Sequence, residues 1–199
     1  CSDDETTFNP TEGLTKITEA YALGAGAKVE LWAKEDLFAG YNNLFVALYD
    51  SVDGERITEA HVQFSPIMTM TGGMKHTCPV INPEDENAVK ELFPGVVVFI
   101  MPSNDMGSWK MEIRVHNHHT EKEGTASLDI IVANPSVSQI KSFVTGSGEK
   151  MFVSYTFPED KKVGVNDFEV IVYQMVSGME FAPIQDYTIQ LEPEMPSMG

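Results

Sequence analysis

Met68, Met70, Met74, His76 and Cys78 all fall at even positions of one stretch, Phe64-Ser65-Pro66-Ile67-Met68-Thr69-Met70-Thr71-Gly72-Gly73-Met74-Lys75-His76-Thr77-Cys78. Thioether, thiolate and imidazole are the groups that copper(I) prefers, and methionine withstands mild oxidation better than a thiol does. Such an ion needs three or four of these donors to converge. A related piece returns near the C-terminal end as Ile189-Gln190-Leu191-Glu192-Pro193-Glu194-Met195-Pro196-Ser197-Met198-Gly199. The candidate metal-binding residues are therefore Met68, Met70, Met74, His76, Cys78, Met195 and Met198, and copper is the candidate ion.

Convergence depends on the turn at Thr71-Gly72-Gly73. In an extended chain alternate side chains share a face roughly 7 Å apart, so Met68 with Met70, or Met74 with His76, could each approach one ion. A two-residue loop at Gly72-Gly73 would put Met68 and Met70 on the opposite face from Met74, His76 and Cys78. A three-residue loop with Gly73 left-handed would set Met70 opposite Met74 and Met68 opposite His76, all on one face. Both registers are open to this pattern. Packing is the competing reading: Val62 and Phe64 point inward, and counting on by twos reaches Met68 and Met70. Pro66 is expected to interrupt the ladder or mark a bulge that resets this parity.

The elements that must position these groups read as strands. Lys28 to Ala33, Leu44 to Asp50 and Ala60 to Phe64 alternate, and Gly95 to Met101 is a continuous apolar run. Residues 107–117 are the clearest strand: Trp109, Met111, Ile113 and Val115 point one way, Lys110, Glu112, Arg114 and His116 the other. Leu128, Ile130 and Val132 continue inward in the next strand, while residues 82–92 read as an acidic loop or short helical turn. The strand at 107–117 ends in a second cluster, His116-Asn117-His118-His119, which could hold copper(II) or zinc weakly or simply be solvated. Met101 and Met106 flank the loop before Trp109 and would add donors if that loop lies at the methionine end. Many short strands with almost no helical periodicity imply an all-β fold of immunoglobulin-like sandwich type.

After Asn134-Pro135 the pattern starts again. Gly24-Ala25-Gly26-Ala27-Lys28 is answered by Gly146-Ser147-Gly148-Glu149-Lys150, residues 40–49 by 164–173, and Val62 to Met68 by Ile189 to Met195. Blocks matched in the same order imply tandem sandwich modules, a first at 14–133 and a second at 137–199. The second stops just after its methionine motif, which predicts a module incomplete at its C-terminal end, with a longer natural chain or a completing partner; the other reading is a shorter variant of the module that packs on the first.

The chain has 199 residues and a formal charge of −17, a surface that repels nucleic acid and anionic lipid alike. Cys1 followed by Ser2-Asp3-Asp4-Glu5 reads as the mature start of a bacterial lipoprotein, with lipid carried on Cys1 and residues 1–13 as tether. That places the protein in the bacterial cell envelope, as an outer-membrane lipoprotein held to the membrane through its lipid. Cys78 is then the one remaining thiol.

Pro66-Ile67-Met68-Thr69-Met70, Phe99-Ile100-Met101-Pro102 and Gly107-Ser108-Trp109-Lys110-Met111 together resemble the YtkA-like family of immunoglobulin-like bacterial modules. That family's pattern has a Met-Pro-x-Met-x-His segment followed one strand later by Met-Pro and Gly-x-Trp. Met195-Pro196-Ser197-Met198 matches its first part more closely. In the first module Thr69 stands in place of the proline, and the histidine is displaced to His76. The resemblance implies a sandwich fold and, for some related modules, copper handling.

Two functions follow: an extracytoplasmic lipoprotein whose Met/His-rich loop binds or handles copper, or a non-catalytic envelope module that presents a surface to a protein partner. No phosphate loop, zinc-protease helix, nucleophile elbow or paired carboxylates stand out, so the chain is not expected to be an enzyme.

Overall fold

The alternation of apolar and polar residues that marks 107–117 decides which way each strand faces, and the computed structural model, which describes residues 8–157 and 162–192, follows it. The strands are β1 (Thr15–Ala22), β2 (Ala27–Ala33), β3 (Gly40–Asp50), β4 (Ala60–Met70), β5 (Lys75–His76), β6 (Val80–Ile81) and β7 (Phe93–Phe99). They continue as β8 (Gly107–Asn117), β9 (Lys122–Ile130), β10 (Ile140–Val144), β11 (Lys150–Thr156), β12 (Glu169–Ser177) and β13 (Glu180–Pro183), with one 3-10 turn at Leu23–Ala25.

Two antiparallel sheets, ordered β1-β2-β3-β7-β6 and β5-β4-β8-β9, enclose one core. Val29, Leu31, Val46 and Leu48 from the first sheet meet Val62, Phe64, Trp109, Met111 and Ile113 from the second, all buried. Trp109 packs edge-on against Phe99, with ring centroids 5.2 Å apart, and its Nε1 donates to the Met101 carbonyl at 3.0 Å. Burying such side chains at about 25 cal/mol per Å² is what holds the two sheets together. One edge closes through backbone contact: a Cβ on Gly24 would collide with the Glu123 carbonyl, and one on Gly124 would sit 2.9 Å from the Gly24 nitrogen.

Pro66 does not interrupt its strand. The β4–β8 register runs without a shift from Ala60↔Asn117 to Met70↔Gly107, with Pro66 opposite Met111. The reason is which edge the missing N–H faces. Ala60, Phe64 and Met70 donate away from β8, to the Glu86 carbonyl, Asn82 Oδ1 (2.7 Å) and the Met74 carbonyl (2.8 Å). Pro66 has the same parity, so its absent donor falls on the open side and costs the β8 ladder nothing. The parity set by Val62 and Phe64 therefore carries through to Met68 and Met70. Residues 82–92 form no helix; isolated bridges join Glu59 to Asn87 and Val89 to Leu92.

The remaining strands form a separate sheet, β10-β11-β12-β13. Its β11–β12 pair repeats the register of β2–β3: Val29↔Leu48 and Leu31↔Val46 match Val153↔Val172 and Tyr155↔Val170. An asparagine clamp recurs with it. Asn42 Oδ1 accepts from Phe38 N (3.0 Å), and its Nδ2 donates to the Phe38 and Gly40 carbonyls (2.8 and 2.9 Å). Asn166 makes the same three bonds with Lys162 and Gly164, at 2.9, 2.7 and 3.1 Å. Gly40 and Gly164 both take positive φ, 138° and 118°, a region that favours glycine. The register also moves one match: Lys28 lies opposite Tyr49 and Phe152 opposite Tyr173, so Lys28 corresponds to Phe152 and not to Lys150.

Candidate metal site

The turn takes the three-residue form. Gly73 N donates to the Met70 carbonyl and Met70 N to the Met74 carbonyl, both at 2.8 Å, with Gly73 at φ 80°. Met70 therefore faces Met74, and Met68 is registered against His76. An alanine at Gly73 would have to hold that left-handed backbone with a Cβ attached. Directly opposed residues in such a ladder have Cβ atoms about 5 Å apart, within reach of a thioether and an imidazole.

Burial then divides the set. Met68 is fully buried in the core, and Cys78 is buried at 3% exposure. Burial pushes the Cys78 thiol well above its ordinary pKa, which holds it protonated and makes it a poor soft-metal donor. Met70 is half-buried against the core, His76 is half-buried, and Met74 stands out at 63% exposure. Met68 and Met70 share the space over Gly107: a Cβ there would lie 2.6 Å from Met68 Cε and 2.8 Å from Met70 Sδ. Gly107 is thus the strand position that admits both thioethers.

The loop before Trp109 does lie at this end. Thr71 N donates to the Met106 carbonyl at 2.8 Å, Met106 is exposed, and Met101 packs half-buried on the core rim. The structure thus gathers Met70, Met74, His76, Met101 and Met106 around one end of the sandwich.

The histidine cluster is elsewhere. His116 and His118 stack edge-on with centroids 5.1 Å apart, His116 Nε2 lies 3.5 Å from Glu121, and His118 Nδ1 lies 3.8 Å from Glu86. They stand at the far end of β8 from Gly107, roughly 30 Å away at the usual strand rise. Among the described residues no three His, Cys, Asp or Glu side chains converge on one point, so a site here depends on methionine sulfur with a single imidazole. Cys1, Met195 and Met198 lie outside the described residues.

One neighbour has no signal in the local sequence. The β12–β13 turn reaches His76: Thr77 N donates to the Gly178 carbonyl at 3.1 Å, and a Cβ on Gly178 would lie 3.4 Å from His76 Nδ1. A crevice runs from there between residues 77–81 and strands β12 and β13. At its other end Tyr41 Oη donates to Glu169 Oε2 at 3.1 Å. Burial, and next the Glu169 charge, push the Tyr41 hydroxyl up to about 12. No family model, curated protein or solved structure matches this chain.

Proposed function

We propose that the protein is an extracytoplasmic copper-binding lipoprotein, held to the bacterial envelope through lipid on Cys1, with YtkA-like modules in tandem. The observation that carries the metal reading is the register of the β4–β5 hairpin, which turns Met70, Met74 and His76 to the same side at the rim. The backbone of the Met106 loop is tied to that turn. Met68 and Cys78, named as donors on sequence grounds, serve as packing in this reading, because a buried neutral thiol and a fully enclosed thioether present nothing to an incoming ion. Thioethers and one imidazole form a soft, neutral donor set that favours copper(I) over zinc or copper(II). The recurring asparagine clamp and strand register support the tandem arrangement.

The second reading, an interaction module without a metal, draws on the burial of Met68, since inward methionines fill core gaps in many proteins. An anaerobic copper(I) titration separates the two. Wild type should bind one ion with affinity well above that of a Met70→Leu/Met74→Leu/His76→Ala variant. Equal, weak binding by both would leave only the acidic surface and support the interaction module.

A further inference from the structure

We infer that Met179, at the tip of the β12–β13 hairpin, supplies a donor to the His76 site, so that the ion is held between the first sandwich and the second sheet. This rests on the copper reading and extends it to a residue about a hundred positions away in the chain. The hairpin tip sits on the imidazole: Gly178 would place a Cβ 3.4 Å from His76 Nδ1 and 3.9 Å from Cε1, and its carbonyl accepts from Thr77 N. Met179 is the next residue, its Cα about 3.8 Å along the chain, and it lines the crevice with Thr77 and Cys78. Its side chain is 51% exposed. An unbranched thioether with three rotatable bonds has the reach and freedom to turn onto an ion at the imidazole. A copper(I) ion bound by His76 and Met74 on one side and Met179 on the other would also pin the second sheet to the first sandwich.

The test is anaerobic copper(I) titration of the whole chain as wild type, Met179→Leu and, as a control for generic loss of methionine, Met151→Leu in the buried part of β11. X-ray absorption would count sulfur neighbours in each. Removing a direct donor should weaken binding about tenfold or more and lower the sulfur count by one, with Met151→Leu unchanged. Copper should also slow proteolysis of the 134–139 connection in wild type and not in Met179→Leu. Wild-type affinity and sulfur count in Met179→Leu would overturn the inference while leaving the hairpin site standing. Absence of specific binding by wild type would remove both.

Discussion

The β1-β2-β3 meander and the β10-β11-β12 meander are built alike and buried differently. Both turn into their third strand through a left-handed glycine and an asparagine clamp, and both pair their second and third strands in the same register. In the first, Val29, Leu31, Val46 and Leu48 are wholly enclosed by the opposing sheet. In the second, the corresponding Val153, Tyr155, Val170 and Val172 are only half-buried, and Phe143 at the edge is 47% exposed. Local hydrogen bonding specifies the shape of a meander. The opposing sheet supplies most of its stabilisation.

The largest expected difference between the two meanders is in the aliphatic layer. Leu48→Ala should destabilise the first sandwich by about 3 kcal/mol, because it opens a cavity in a closed core. Val172→Ala should cost about 1 kcal/mol, since its surroundings already admit water. Both tryptophans, Trp32 and Trp109, lie in the first sandwich, so urea denaturation followed by their fluorescence reads that unit. Amide exchange of β11 and β12 reads the other. Equal costs would mean that the second sheet is as fully enclosed as the first.

A smaller contrast should separate the clamps. Asn42 is buried, so Asn42→Ala strands Phe38 N and two carbonyls and should cost about 2 kcal/mol. Asn166 is more open, so water can replace its bonds and Asn166→Ala should cost about 0.5 kcal/mol. The same two probes measure both. A larger loss at Asn166 would reverse the ranking and show the second turn to depend on its clamp more than the first does.

The smallest contrast, one between pH values rather than between meanders, is electrostatic and belongs to the first meander. Burial favours the neutral form of the Glu30 carboxyl, but the Lys28 ammonium (2.8 Å), Lys16 and Trp32 Nε1 (3.2 Å) outweigh it and hold the group below the usual carboxylate range. A depressed folded-state pKa gives stability that is present above the unfolded value, near 4.5, and lost as pH falls through the folded one. Glu30→Gln should therefore cost stability at pH 7 and progressively less as pH falls from 4.5 through the folded-state pKa, read by urea titration across that range. A cost independent of pH would assign the effect to packing.

Much of this was legible along the chain because strand parity is a local property. Trp109, Met111, Ile113 and Val115 point inward as their alternation requires, and the sandwich follows from repeating that rule. Pro66 was misleading because its effect depends on which neighbour its nitrogen faces, and that is settled by β8, far away in the chain. The slip of the Gly24 block against the Gly146 block has a similar origin: glycine-rich turns match easily, whereas strand pairing admits one register.

At the candidate site the division is sharper. Residue types and even spacing determined that Met68, Met70, Met74 and His76 could share a face if the turn held three residues, since side-chain direction alternates along any extended chain. Only tertiary structure decided that Met68 and Cys78 lie in the core, that the Met106 loop adjoins the turn, and that Gly178 rests on His76. Burial and contact between distant segments come from how sheets pack, and packing depends on every strand at once.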